Sequence, residues 1–131
     1  MRRLIRTTLA LALGTAVLGS TAAPAHAEPI EIPYLILFHH QWFQGRSIVL
    51  TQPTSHLGGD SDEATSIINN DGVAWVLYDD DSYGDRRYCI RPGESVLNLG
   101  DDRWKFNDKI TSALPLESAS CGKFPPFFGN G

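Results

Sequence analysis

One aromatic hairpin pattern occurs twice in this sequence and decides the fold, first in residues 38–46 (FHHQWFQGR) and again in residues 78–86 (YDDDSYGDR). In both copies an aromatic residue is followed five positions later by a second one, and a glycine-containing bend then leads to an arginine. A chain that folds back here needs a residue that tolerates a positive φ. Gly45 meets this need in the first copy, whereas the second copy has Asp85 at the matching position and Gly84 one position earlier.

Short apolar segments surround the two hairpins, and Gly and Pro separate them. We predict strands at residues 34–38, 46–50, 73–78 and 86–90, with shorter ones at 67–69 and 110–113. No segment after residue 27 has apolar residues at helical spacing, so the sequence predicts an all-β sandwich of two antiparallel sheets. Each repeat, of about 40–46 residues, is too small to bury its own apolar face. The two repeats should therefore pack as one domain with pseudo-twofold symmetry.

The first 27 residues have the pattern of a secretory signal peptide. Arginines at the start are followed by an apolar run of about ten residues and by the small-x-small cleavage site AHA. That run is half of the roughly 20 residues that a membrane-spanning helix needs. We therefore expect a secreted, extracellular protein that begins at Glu28, with a domain over residues 28–121 and a tail over residues 122–131.

The charge of the chain disfavours several classes of partner. The chain carries 11 basic and 15 acidic residues, a net charge of −4. The predicted leader contains three arginines and no acidic residue, so its removal leaves a net charge of −7. Nucleic acids and anionic membrane surfaces both need Lys and Arg contacts to phosphate, and neither is an expected partner. We expect no enzymatic activity, because no spacing of Ser, His or Cys organises a catalytic site. We also expect the protein to be a monomer.

Cys89 and Cys121 are the two cysteines of the chain. In an exported protein we expect them to pair, closing a loop of about 33 residues that the chain-entropy model values at roughly 3–4 kcal/mol. The alternative is a pair of buried free thiols. Beyond Cys121 the tail contains the sequence FPPFF. This tail either packs back on the domain or presents an apolar patch to a protein partner.

A second duplication concentrates oxygen-bearing side chains. Residues 61–66 (SDEATS) and 107–112 (NDKITS) match at an offset of 46. Carboxylate, amide and hydroxyl oxygens without a nearby Cys ligand suit a hard cation, and calcium fits this chemistry better than zinc or copper. The competing interpretation is that these residues only cap a turn through local hydrogen bonds. Two copies at matched positions of the repeat favour the cation.

Two other metal patterns in the sequence are weaker. Residues 79–84 (DDDSYG) resemble the start of an EF-hand loop, but Tyr83 occupies a position that needs an oxygen ligand. Ile90 stands where that loop requires a bidentate Glu. His39 and His40 are neighbours, and neighbouring strand residues point to opposite faces, so we do not expect them to share a transition metal.

The duplicated hairpins and hexamers resemble those of microbial βγ-crystallin domains. The resemblance spans about residues 34–116 and includes the segments 75–78 (WVLY) and 101–106 (DDRWKF). It implies two Greek-key motifs of four strands each, over about residues 34–70 and 73–116. Many microbial members bind two calcium ions through the motif Asn/Asp-Asn/Asp-x-x-Ser/Thr-Ser, with one copy in each Greek key.

The resemblance also implies which residues hold calcium. Side-chain oxygens would come from the second and sixth positions of the hexamers, namely Asp62, Ser66, Asp108 and Ser112. Backbone carbonyls would come from the third positions and from the hairpin of the other motif, namely Glu63, Lys109, His39 and Asp79. Ser61 stands where Asn or Asp is expected, so the first-copy hexamer should be the weaker contributor. Calcium would stabilise the fold, with affinities of roughly 10⁻⁵–10⁻³ M.

A second function fits the same resemblance. Secreted proteinaceous inhibitors of metalloproteases also have this fold, and the leader here is typical of exported proteins. That inhibitor type relies on two disulfides and an exposed rigid loop, whereas this chain has cysteines for one bridge. We therefore expect a calcium-stabilised binding module, with a metalloprotease inhibitor as the alternative.

Overall fold

The computed structural model describes residues 32–129, which form seven strands in two antiparallel sheets. The strands are β1 (Tyr34–His40), β2 (Gln44–Leu50), β3 (Ser66–Asn70), β4 (Trp75–Asp80), β5 (Gly84–Ile90), β6 (Ser95–Val96) and β7 (Ser112–Pro115). Short 3₁₀ turns lie at Gln41–Phe43, Gly58–Asp60 and Asp81–Tyr83. The predicted leader lies outside the described residues. Within residues 32–129, no helix has the length and apolar character needed to cross a membrane.

The two halves of the chain exchange strands. One sheet has the order β2-β1-β3-β6 and the other has the order β5-β4-β7. Strand β6 belongs to the second half but pairs with β3 of the first half, with Ile67 opposite Val96. In the other direction, Thr54 of the first half bridges Ala113 of β7, and each backbone N–H lies 2.9 Å from the partner's carbonyl oxygen. Each half therefore completes the sheet of the other.

The predicted sandwich of two antiparallel sheets is confirmed, and all six predicted strands are present. The last of them begins at Ser112, so the predicted start at residue 110 was wrong by two positions. The prediction also missed β6, a strand of two residues that carries no alternating pattern. This strand forms because β3 of the other half offers it an edge to pair with.

Apolar side chains from both sheets fill the space between them. Leu35 and Leu37 of β1 and Trp75 and Leu77 of β4 are fully buried in this core. The remaining residues of β1 are half-buried or exposed, which is the pattern of a strand with one face on a core. Phe106, from the loop between β6 and β7, also belongs to this core. The duplicated strands thus bury the apolar face that neither half could bury alone.

Both hairpins fold over themselves as predicted. The two aromatic side chains of each hairpin contact each other, with ring centroids 5.6 Å apart for Phe38–Phe43 and 5.7 Å apart for Tyr78–Tyr83. The bend residues have positive φ, at 80° for Gly45 and 65° for Asp85. Asp85 therefore takes in the second copy the bend position that Gly45 has in the first, as the sequence indicated. A Cβ at Gly45 would collide with the ring of His40, so a larger residue in the first copy would require that ring to move.

The C-terminal segment covers the outer face of the second sheet. Val76 and Tyr78 lie on that face of β4 and are nevertheless buried, because Cys121, Leu116 and Phe124 pack against them. Cys89 of β5 and Cys121 form the predicted disulfide, with their Cα atoms 5.8 Å apart. The bridge joins the last described segment of the chain to a central part of the domain.

The tail continues from the disulfide along the edge of β5. The backbone N–H of Cys89 donates to the carbonyl of Pro125 over 2.7 Å, and the N–H of Phe127 donates to the carbonyl of Cys89 over 2.9 Å. Phe127 is buried, and its ring stacks on Tyr88 at a centroid distance of 4.9 Å. The first alternative for the tail, packing on the domain, is therefore confirmed.

Replacement of both cysteines, as C89A/C121A, should lower the free energy of unfolding by about 3–4 kcal/mol, because the unfolded chain regains the entropy of the open loop. Urea denaturation followed by tryptophan fluorescence measures the change. A reducing agent provides the control, since it should lower the stability of the wild type to that of the variant and leave the variant unaffected. Equal stability of the two chains under oxidising conditions would contradict the prediction.

Candidate functional site

The two oxygen-rich hexamers lie side by side across the pseudo-twofold axis. The backbone N–H of Asp62 donates to the carbonyl of Ile110 over 3.0 Å, and the N–H of Asp108 donates to the carbonyl of Ala64 over 3.1 Å. These two bonds relate the hexamers by the same symmetry as the strand exchange. The sequence placed the hexamers at matched points of the repeat, and the structure brings them into direct contact.

The sixth residue of each hexamer is a fully buried serine that closes a hairpin. The hydroxyl of Ser66 donates to the carbonyl of His40 over 2.6 Å and accepts from the N–H of Phe43 over 3.1 Å. The hydroxyl of Ser112 makes the same two bonds in the second copy, to the carbonyl of Asp80 over 2.6 Å and from the N–H of Tyr83 over 3.0 Å. The two serines predicted as side-chain ligands are thus already bonded to the hairpins.

The fifth residue of each hexamer is a threonine that faces the predicted ligands. The hydroxyl of Thr111 donates to the carboxylate of Asp62 in the other hexamer over 3.0 Å. The hydroxyl of Thr65 donates to the carbonyl of His39 over 2.8 Å. Neither threonine was among the predicted ligands, although the motif quoted for the family has Ser or Thr at this position. The structure therefore gathers the candidate oxygens around these hydroxyls.

The aspartates of the second positions have a strained backbone. Asp62 has a φ of 60° and Asp108 has a φ of 53°, in the left-handed region that non-glycine residues rarely occupy. Both residues are exposed, so their carboxylates face solvent at the contact between the hexamers. Strain of this kind persists where the surrounding structure fixes it, and it clusters at ligand sites.

The first position of each hexamer holds a buried oxygen without a partner. Ser61 Oγ and Asn107 Oδ1 are shielded from solvent and have no hydrogen-bond partner among residues 32–129. A buried polar atom left unpaired costs about 1–3 kcal/mol, so such atoms are rare and call for an explanation. Both atoms occupy the same position of the repeat, next to an exposed aspartate, and a water molecule or another ligand would satisfy them.

The two copies differ in the charges that surround them. Burial raises the pKa of the Asp79 carboxyl above its ordinary value, and nearby Asp85 and Asp62 act in the same direction against Lys109 and Arg86. In the other copy, Asp60 lies 3.2 Å from the guanidinium of Arg46. The corresponding Arg86 of the second copy lies 3.9 Å from Asp79 itself, so the two copies differ in which carboxylate their arginine meets.

The donor set limits what these hexamers can bind. The oxygens are carboxylates, hydroxyls and backbone carbonyls, which suit a hard cation such as calcium. No group of three or more His, Cys, Asp and Glu side chains converges on a metal-sized site within the described part of the chain. A cation here would therefore depend on neutral oxygens for most of its ligands, which is typical of weak extracellular sites.

Solved structures of known proteins show which fold this is. A βγ-crystallin from Ciona intestinalis is 25% identical, with a TM-score of 0.57 over 63% of this chain and 99% of that chain. A βγ-crystallin from an archaeon has 20% identity and a TM-score of 0.56 over 64% and 98% of the two chains. A βγ-crystallin domain from Flavobacterium johnsoniae has 20% identity and a TM-score of 0.52 over 63% and 92%. The chain has the βγ-crystallin fold, and the resemblance stated from the sequence is confirmed at that level.

A family model adds a second comparison. The model of peptidase inhibitor family I36 matches residues 34–90, which run from the start of β1 to the end of β5. The match covers the first Greek key and the opening hairpin of the second. None of the curated proteins compared matches the chain.

The variant D79N should raise the midpoint of thermal unfolding in calcium-free buffer at neutral pH. The pKa of Asp79 is raised on folding, so its charged form disfavours the folded state. This penalty is absent below the unfolded pKa, near 3.8, and is complete once the pH exceeds the folded pKa. The stabilisation by D79N should therefore shrink as the pH falls towards 3.8.

The exposed residue Asp102 provides the matched control, because D102N removes the same charge from a residue that belongs to neither hairpin and neither hexamer. Thermal unfolding followed by circular dichroism at several pH values compares the two variants. A lower midpoint for D79N than for D102N at neutral pH would contradict the prediction.

Proposed function

We propose that this chain is a calcium-binding βγ-crystallin-like domain whose fold calcium stabilises. The observation that carries the proposal is the contact between the hexamers, in which the Thr111 hydroxyl meets the Asp62 carboxylate. Two hexamers that served only as turn caps would need no such contact between their side chains. The unpartnered oxygens of Ser61 and Asn107 support the same conclusion, since a cation or its water would satisfy them.

Two candidate sets of ligands follow from the pseudo-twofold symmetry. One set combines Asp62 and Thr111 with the backbone carbonyls of Glu63 and Asp79. The other combines Asp108 and Thr65 with the backbone carbonyls of Lys109 and His39. In both sets a threonine of the other hexamer replaces the serine that the sequence assigned from the same hexamer. When bound, calcium would supply positive charge that offsets the acidic residues of the hexamers and hairpins.

Calcium would stabilise the domain through linkage. An ion that binds only the folded state adds about 2.7 kcal/mol to the free energy of unfolding at 100 times its Kd. Partial neutralisation of the acidic chain would act in the same direction, because like charges repel one another within a small domain. The leader pattern and the disulfide both favour export, and an extracellular location supplies the calcium that a weak site needs.

Calcium should raise the midpoint of thermal unfolding, and D62N should remove part of that increase at subsaturating calcium. The substitution keeps the size of the side chain and tolerates a positive φ, so the variant should fold. D102N again removes one charge elsewhere, and it should respond to calcium like the wild type. Calorimetric titration of residues 28–131 measures the number of sites. An unchanged midpoint with calcium, or equal responses of D62N and D102N, would refute the proposal.

The family match favours inhibition of a peptidase as a second candidate function, and the resemblance stated from the sequence suggests a metallopeptidase. The match covers both hairpins and the loop between β2 and β3 that carries the first hexamer. A rigid scaffold closed by the disulfide between Cys89 and Cys121 is also what a proteinaceous inhibitor needs, since preorganisation reduces the entropy lost on binding. The single bridge remains a departure from the inhibitor type with two.

Titration of a thermolysin-type peptidase with the purified protein tests this second function. Inhibition at one molecule per enzyme, equal for the wild type and for a D62N/D108N variant, would show that the protein inhibits the peptidase without calcium. Testing the variant is preferable to chelation, because a chelator would also act on the peptidase. Full peptidase activity at a stoichiometric excess of the wild type would exclude inhibition of this enzyme class.

A further inference from the structure

Trp42 projects from the tip of the first hairpin, and 60% of its surface is exposed. Its φ of 61° lies in the left-handed region, where a bulky residue is strained. Ser82, the equivalent residue of the second hairpin, has the same conformation with a φ of 53°. The hairpin therefore needs a residue with a positive φ at this position but does not need a tryptophan. An exposed aromatic ring at a strained position calls for a reason other than folding.

Trp42 forms one wall of a cleft of about 360 Å³. The other apolar walls are Leu97, which follows β6, Trp104, and Phe128 of the tail. Leu97 is itself 42% exposed, although large apolar side chains of the described residues are mostly buried. Sites for small ligands have volumes of about 300–1,000 Å³ and aromatic walls with a few polar groups, so this cleft is at the lower end of that range.

Hydrogen bonds fix the walls of the cleft. The backbone N–H of Trp42 donates to the carbonyl of Leu97 over 2.9 Å. The indole N–H of Trp104 donates to the carbonyl of Phe127 over 3.0 Å, and Arg91 donates to the carbonyl of Phe128 over 2.8 Å. The cleft is therefore formed in advance of binding, which lowers the entropy cost for a ligand.

The polar groups at the rim of the cleft are planar, and their net charge is close to zero. Arg103 donates to both carboxylate oxygens of Asp101, over 3.0 and 3.3 Å, and its guanidinium lies 4.2 Å from the ring centroid of Trp104. The two opposite charges cancel at short range, and Asn98 and Gln41 add amide groups to the same rim. This rim offers both donors and acceptors without favouring a charged ligand.

We propose that this cleft binds a neutral carbohydrate, with one pyranose ring stacked on Trp42. A pyranose has a face of C–H groups that packs on an aromatic ring and a rim of hydroxyls that pair with planar carboxylate, amide and guanidinium groups. A wholly apolar ligand would leave the polar rim unpaired, and a polyanion would meet an acidic chain. The cleft is concave, whereas an inhibitory loop must protrude to enter a peptidase. The proposal does not depend on calcium binding or on inhibition.

Titration of the full secreted chain with cellotetraose and with chitotetraose tests the proposal, read by tryptophan fluorescence and by calorimetry. We expect saturable binding of at least one of the two tetrasaccharides with a change in tryptophan emission. The variant W42S gives the first hairpin the residue that the second already carries, so it should fold, and it should weaken binding at least about tenfold. V49S removes an exposed apolar side chain of β2 outside the cleft and should bind like the wild type.

Three results would overturn the proposal. Saturation with neither tetrasaccharide at millimolar concentrations would exclude this ligand class. Equal binding by W42S and the wild type, with matching unfolding midpoints, would place any carbohydrate site elsewhere. Loss of peptidase inhibition by W42S, without carbohydrate binding by the wild type, would assign the cleft to a protein contact instead.

Discussion

The structure depends on one buried hydroxyl in each half of the chain. Each hairpin tip interrupts the ladder of its two strands, with register shifts between Phe38 and His40 and between Tyr78 and Asp80. The serine hydroxyl supplies the bonds that the ladder lacks, since it accepts from the N–H beyond the tip and donates to the carbonyl before it. Removal of such a hydroxyl would leave an N–H and a carbonyl without this partner, and each would cost up to about 1–3 kcal/mol to the extent that it is buried.

The same serine determines which oxygens of the hexamer are accessible. Successive residues of an extended chain point to opposite faces, so a serine that points into the hairpin turns the preceding threonine away from it. The Thr65 hydroxyl therefore bonds to a carbonyl of the hairpin. The Thr111 hydroxyl bonds to Asp62 in the opposite hexamer. The residue that holds the fold and the residue that faces the candidate cation site are neighbours for this geometric reason. A duplicated hairpin thus brings a duplicated oxygen cluster with it.

The sequence patterns correctly predicted those features that depend on residues close together in the chain. The paired aromatics, the bend residues and the six strands were correct because each depends on residues a few positions apart. The pairing of Cys89 with Cys121 was also correct, since a chain with two cysteines has one way to form an intramolecular bridge. Strand β6 could not be predicted, because its two residues become a strand only beside β3 of the other half. The path of the tail along β5 could not be predicted either, because its backbone partners lie more than 30 residues away in the sequence.

The predicted serine ligands, Ser66 and Ser112, bond to the hairpins in the structure. The threonines before them face the other candidate oxygens. The motif contains Ser or Thr at the fifth position and Ser at the sixth, and composition alone does not distinguish their roles. The distinction depends on which hydroxyl the hairpin uses, which is a property of the folded tip. Comparison of the two copies also separates the exposed Trp42 from the paired aromatics of the hairpin. The second copy has Ser82 at that position, so the aromatic pair of the hairpin does not include it.

Neither candidate site exists in one half of the chain alone. The contact between Asp62 and Thr111 joins the two hexamers, and the cleft joins Trp42 of the first hairpin to Leu97 and Phe128 of the second half. Formation of either site therefore requires the exchange of strands that also closes the core. A ligand of either site would bind only the completed domain, so its binding energy would act on the cooperative unfolding of the whole domain rather than on one loop. In a chain this short, the strand exchange that buries the core is thus also what creates its binding surfaces.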